Sequence, residues 1–160
     1  MKKEIDAFQP SLFFEAAVPG QGKLFEIGIS GTHELESLKQ RVLKCRQCSL
    51  RDGANRVVFG EGSPDSKIMF LGEGPGRTED ETGKPFVGRA GQLLDACLKS
   101  QGFSRDEVFI TSMVKCRPPG NRLPKNDEVK ACRPNLDAQI DIIRPKIIVL
   151  LGALSSQSFL

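Results

Sequence analysis

The 160-residue chain has no tryptophan, no tyrosine and a single histidine, and no apolar run approaches the length of a membrane span. Any aromatic surface it offers a ligand must therefore be a phenylalanine. Lys2 and Lys3 are followed by Glu4 and Asp6, where a secretory signal would carry an apolar stretch, so the expected location is the cytoplasm, away from any membrane. Repeats and low-complexity tracts are also missing. A formal charge of +3 is too small to argue for nucleic-acid binding by itself. The five cysteines are an odd number in a chain without a secretory signal, which suits reduced thiols or metal ligation better than a disulfide framework.

The length suits one domain, and a domain of this size buries roughly 70% of the surface exposed by its unfolded chain. Residues 1–31 lack a sustained hydrophobic period and read as a loosely attached arm preceding a domain at 32–160. From Thr32, a candidate N-cap, Leu35, Leu38, Val42 and Leu43 fall on one helical face. His33, in the first turn, reads as a solvated residue without a ligand role.

Short apolar runs at 57–59, 68–71, 108–114 and 146–151 read as strands, the last three each feeding a polar or glycine-rich loop. Between them, helical periodicity covers GRAGQLLDACLKSQG and NDEVKACRPNLDAQIDIIR. The second of these helices is expected to start at Asn126 and to be interrupted at Pro134. Cys97 aligns with Leu93, Leu94 and Leu98 and reads as a small core residue. The alternation implies an α/β domain with a mainly parallel sheet, whose ligands bind beyond the carboxyl ends of the strands.

One such end carries GEGPGRTEDETGKPFVGRAGQLLD, residues 72–95. A dinucleotide fingerprint fits it badly, because that motif needs a helix starting inside the glycines. Here Pro75 and a loop holding Glu79, Asp80 and Glu81 are expected to intervene. Two readings remain: a tight glycine turn leading into a solvated acidic loop, or a pocket where small glycines admit a planar heterocycle and Phe86 stacks on it. Cys45 and Cys48 form a C-x2-C pair, joined in the pattern by the widely spaced Cys116 and Cys132. Four thiolates favour zinc or an iron–sulfur centre, and the pair alone does not choose. The loop KCRPPGNRLPK carries Lys115, Arg117, Arg122 and Lys125 without an acid. It reads as a solvated loop or a phosphate track, and four phosphate contacts would give a log–log salt slope of about −3.6.

The glycine-rich stretch, KCRPPGNR downstream and the four-cysteine pattern together closely resemble the family 4 uracil-DNA glycosylases over about residues 40–160. The resemblance implies a three-layer α/β/α fold, a [4Fe-4S] cluster on Cys45, Cys48, Cys116 and Cys132, and excision of uracil from single- or double-stranded DNA by a monomer. It also implies that Gly74 lines the uracil pocket, Phe86 stacks on the flipped base and Glu79 closes the pocket near the pyrimidine. Glu73 would orient water or offset an oxocarbenium-like charge. Asn121 would be a polar contact near the reacting centre. Ser112 stands where better-known members have an asparagine that reads the uracil edge, and its hydroxyl reaches less far. The family's His-Pro segment, which supports the departing uracil anion, has no counterpart here, and the final helix lacks a capping residue. The natural domain is accordingly expected to continue past Leu160. The alternative is a cluster-bearing DNA-binding remnant without catalysis; a nucleotide-binding domain with structural zinc would be colourless.

Overall fold

The computed structural model describes residues 31–159, so the expected N-terminal arm lies outside the described residues except for Gly31. Helix α1, Gly31–Leu43, buries Leu35, Leu38 and Val42, while Leu43 stays 38% exposed. The short α2, Leu50–Gly53, follows the first cysteine pair. Strands β1 (Glu61–Gly62), β2 (Ile68–Gly72), β3 (Phe109–Ser112) and β4 (Ile147–Leu150) form one sheet in the order β1-β3-β2-β4. The pairings β2–β3 and β2–β4 are parallel, and β1 runs antiparallel to β3.

Between the strands lie α3 (Arg77–Thr82), α4 (Arg89–Ser100) and α5 (Asn126–Ile143), with α6 (Ala153–Gln157) after β4. Alternating side chains send β2 to two cores. Ile68 and Phe70 join Leu94, Leu98 and Ile110 beneath α4, whereas Met69 joins Phe109, Ile143 and the α1 leucines beneath α1 and α5. Helices thus cover both faces of a mainly parallel sheet, as the strand–helix alternation implies.

Several local expectations are corrected. Residues 57–59 are buried but form no strand: Val58 N donates to Lys115 O (2.7 Å), while Phe59 O accepts from the side chains of Thr111 (Oγ1, 2.9 Å) and Gln139 (Nε2, 2.8 Å) where a strand would offer a main-chain N–H. Helix α5 runs through Pro134 without a break. Proline has no N–H to give Lys130 O four residues earlier, but both residues are exposed and water can serve that carbonyl. Its N-cap is Lys125 instead of Asn126. Cys97 and Leu93 are exposed, because the buried face of that helix is made by Gly91, Leu94 and Leu98.

The start of α5 holds an ion pair whose carboxylate is buried and whose guanidinium is partly open to solvent. Glu128 accepts from both terminal nitrogens of Arg122 (2.8 and 2.6 Å) and from the Lys125 N–H (2.7 Å). Hydrogen bonding from Arg122, opposed by burial and assisted by the Lys125 amide, holds its carboxyl down at about 2. A carboxyl lower in the folded state than in the unfolded chain contributes stability in full above the unfolded value and loses it as pH falls. Glu128→Gln should lower stability at pH 7 by about 2–3 kcal/mol. In urea titrations stepped from pH 7 to 3.5, the gap from wild type should narrow by about 1 kcal/mol near pH 4; a pH-independent gap would rule this account out.

Candidate active site

Strands β2 and β3 end in register, with Gly72 opposite Ser112. The polypeptide leaving Gly72 runs through Glu73, Gly74, Pro75 and Gly76 into α3, and this short wall separates two recesses. One is lined by Gly74, Gly76, Glu79, Pro85, Phe86 and Ser112, among others. The adjoining one is lined by Glu73, Gly74, Asn121 and Arg122, with Pro118 and Pro124. Sequence-distant residues expected to bind a planar base and to act on its sugar therefore meet on opposite sides of one turn.

Phe86 is held unusually firmly. Its backbone is left-handed, with φ 49°, a strained state for an aromatic residue. Its ring lies over Gly72, where an added Cβ would come 2.5 Å from the ring tip. On the other side, a Cβ at Gly91 would come 1.8 Å from the Phe86 carbonyl oxygen. Only glycine fits at either place. Arg105 fixes the approach to the ring: its guanidinium donates to the Pro85 carbonyl and also bonds Asp95 (2.6 Å) and Glu61 (3.3 Å). Nothing in the local sequence around Arg105 points to this task, because its partners are scattered along the chain.

The acidic stretch of 79–81 is not a solvated loop. Residues 77–82 form α3, and Glu79 reaches out of it to accept from Gly76 N (3.0 Å), Val87 N (2.9 Å) and Gly88 N (2.7 Å). Its carboxylate lines the base-sized recess while clamping two of its walls together. The neighbouring Asp80, buried, accepts from Asn55 N, Asn55 Nδ2 and Arg56 N and ties α3 to the segment after α2. A helix does begin at Arg77, but Glu79 already fills its N-terminal amide, which leaves no place for a pyrophosphate there.

Glu73 faces the second recess with Oε1 accepting the Leu154 N–H at 2.9 Å, at the start of α6. Asn121, also left-handed at φ 58°, accepts from Arg117 Nε through Oδ1 (2.6 Å), so its amide NH2 is the part left for a ligand. Ser112 is buried at the floor of the first recess, and its carbonyl accepts from Lys115 Nζ at 2.8 Å.

Lys115 itself corrects the expected phosphate track. Its side chain is buried, and Nζ donates to Thr111 Oγ1 (2.6 Å), Ser112 O and Gln139 Oε1 (2.6 Å), which occupies all three ammonium hydrogens. Burial pulls its pKa down to about 7. Such a group cannot reach a phosphate. Lys125 is exposed and Arg117 half-buried, and Arg122 keeps about a third of its side chain open although Glu128 anchors it.

Cys45, Cys48, Cys116 and Cys132 line a single recess together with Arg51, Lys115 and Asn135. Burial, then the proximity of Cys132 and Cys48, pushes the Cys116 thiol up to about 12; burial likewise raises Cys48. Among the described residues no group of three or more His, Cys, Asp or Glu could hold a metal ion as arranged. The four thiols stand around a shared space instead. That all-sulfur donor set suits the soft centres that thiolates bind, zinc or iron–sulfur.

A sequence profile describing the uracil DNA glycosylase superfamily matches residues 59–160, well over half of the chain. The chain belongs to the uracil DNA glycosylase superfamily. Similar superfamily proteins include a type-4 uracil-DNA glycosylase of Sulfurisphaera tokodaii, 54% identical over 124 residues that cover 77% of this chain and 56% of that protein. Those of Thermotoga maritima (50% identical, 78% of this chain and 65% of the relative) and Pyrobaculum aerophilum (45%, 79% and 65%) are comparable. The chain thus spans 56–65% of the length of these relatives. The α/β fold expected from the sequence is that of the superfamily.

The contact between Gly72 and Phe86 is directly testable. Gly72→Ala should cost about 1–3 kcal/mol by overpacking the ring. In a Phe86→Ala background the same change should cost less than about 0.5 kcal/mol, because the obstructing ring is gone. Equal costs in the two backgrounds, read from urea unfolding, would show that the ring does not lie on Gly72.

Proposed function

We propose that this chain is the glycosylase part of a base-excision repair enzyme that hydrolyses the N-glycosidic bond of uracil in DNA, releasing free uracil and leaving an abasic site. The observation that carries the proposal is the pair of recesses sharing the 74–76 wall, one floored by Ser112 and faced by the Phe86 ring, the other holding Glu73 and Asn121. A base must leave the duplex to enter the first recess, at a cost of a few kcal/mol. Stacking on Phe86 returns roughly 1–3 kcal/mol of that. The deoxyribose then lies across the wall, where the Glu73 carboxylate orients the attacking water and offsets the positive charge that develops on the sugar. The Leu154 amide holds one Glu73 oxygen and so fixes the carboxylate in this orientation. Water supplies the hydroxyl to the sugar carbon, the glycosidic electron pair leaves with uracil, and the water's remaining proton ends on the released base by way of solvent.

Cys45, Cys48, Cys116 and Cys132 would hold a [4Fe-4S] cluster, which supplies a rigid cross-link among the segment after α1, the loop after β3 and helix α5 and takes no part in hydrolysis. The cysteines come from three segments far apart in sequence, which is what gives such a link its structural value. Arg117, Arg122 and Lys125 would meet backbone phosphates, with Lys115 excluded by its burial. The setting proposed is the cytoplasm, with the protein acting as a monomer on single- or double-stranded DNA and residues 32–160 forming the catalytic domain.

Anaerobically purified protein should be brown, absorbing near ~400 nm, and should release free uracil from uracil-containing strands and nothing from uracil-free controls. Brown, DNA-binding protein that releases no base would favour a binding remnant. Phe86→Ala should lower kcat/KM by roughly 5- to 150-fold, the equivalent of about 1–3 kcal/mol. Three phosphate contacts imply a log–log salt slope of about −2.7, falling by about 0.9 in Lys125→Ala. A slope unaltered by Lys125→Ala, measured by fluorescence anisotropy, would remove that residue from the interface.

A further inference from the structure

The recess that gathers the four thiols also contains one neutral polar side chain whose position is hard to explain by packing alone. Asn135 lies three residues after Cys132 on α5, one helical turn along, and is buried at 8% exposure. Its amide nitrogen lies 4.0 Å from Cys45 Sγ and 4.0 Å from Cys132 Sγ. An NH2 group has two hydrogens, one for each sulfur. The opposite orientation would turn the amide oxygen toward two sulfurs that become thiolates on metal binding, which is repulsive.

Four thiolates around a [4Fe-4S] core leave net negative charge on the sulfurs, and that charge grows with each electron the cluster takes up. A hydrogen-bond donor aimed at a ligating sulfur stabilises the more negative state more strongly than the less negative one. The low polarity around the buried Cys132 sulfur strengthens the effect there, while Cys45 is half-buried. Arg51 lines the same recess as a cation, but its Nη1 is committed to the Ala54 carbonyl at 3.0 Å. Lys115 is likewise committed to its three oxygen acceptors.

From this geometry we infer that Asn135 is a positioning residue for the metal group, its side-chain amide bridging the Cys45 and Cys132 sulfurs and setting the cluster's reduction potential. This rests on the cluster reading given above. It also joins the two ends of the ligand pattern, since Cys45 precedes α2 and Cys132 lies inside α5, ninety residues apart for Cys45 and Asn135. The bridge therefore brings two ligands from different elements to a common donor.

The test compares wild type with Asn135→Leu, which keeps the volume and removes both donors, and with Asn135→Ala, which removes both donors and adds no charge. Each protein is purified whole and anaerobically, its iron and sulfide are counted, and the cluster is titrated in a mediated spectroelectrochemical cell in which the electrode supplies or removes the single electron. Both variants are expected to shift the midpoint to more negative potential, lowering the equilibrium constant for reduction roughly tenfold, which is about 59 mV for a one-electron couple. The same sign is expected whichever couple the cell reaches. Should the leucine variant fail to fold, the alanine variant alone carries the comparison. Iron-loaded variants whose midpoints match wild type would overturn the role of Asn135 while leaving the cluster intact. Colourless, iron-free wild-type protein would overturn the cluster reading and the Asn135 inference together.

Discussion

The parallel register that ends β2 at Gly72 beside the end of β3 at Ser112 is the constraint on which the remaining architecture depends. Two strands stopping together create a ledge, and both chains leaving it must turn at once. One turns through 73–76 into α3 and carries the Glu73 carboxylate. The other turns through Lys115 and Cys116 into the loop that holds Asn121. Because Gly72 has no side chain, the Phe86 ring can settle on the ledge itself, and the base-sized recess lies between ring, wall and Ser112. A strand shifted by one residue would turn every side chain to the opposite face and place a bulky group where the ring now lies.

Around that ledge the buried charged groups act mainly as fasteners. Glu79 gathers three backbone amides, Asp80 gathers the 55–56 segment, and Glu128 gathers Arg122 and the start of α5. Each carboxylate satisfies donors that a loop of this kind would otherwise leave unpaired, and charge-assisted hydrogen bonds of this type are stronger than neutral ones. Lys115 does the same from below, drawing Thr111, the Ser112 carbonyl and Gln139 onto one nitrogen. The floor of the first recess and the wall of the thiol recess are consequently parts of one hydrogen-bonded unit. Rigid positioning of this kind suits a site whose ligand-facing groups come from loops.

Much of this was legible in the sequence. Short continuous apolar runs located β2, β3 and β4, because strands covered on both faces need apolar residues throughout, and helical periodicity located α1, α4 and α5, because each buries one face. The glycine-rich stretch, Phe86 and the four cysteines stood out as chemistry-bearing residues. Other features were illegible for identifiable reasons. The composition of 115–125 made Lys115 look like its neighbours, and only its burial beneath Gln139 distinguishes it. Cys97 and Leu93 satisfied a helical period without facing the sheet. Pro134 was a correct breaker signal overridden by an exposed position that water can serve. Arg105 and Asn135 carried no local signal at all, since their partners lie far away in the chain.

What the sequence determined by itself was the set of elements and the inventory of reactive groups: an alternating α/β order, one aromatic type available for stacking, four thiols in a ligand-like pattern and a glycine-rich strand end. Tertiary structure alone decided which of those groups face a ligand and which hold the scaffold. The reason is physical. Hydrophobic periodicity is a local property that survives in one dimension, whereas whether a carboxylate or an ammonium meets solvent, substrate or a backbone amide depends on neighbours brought together only by the register of the sheet.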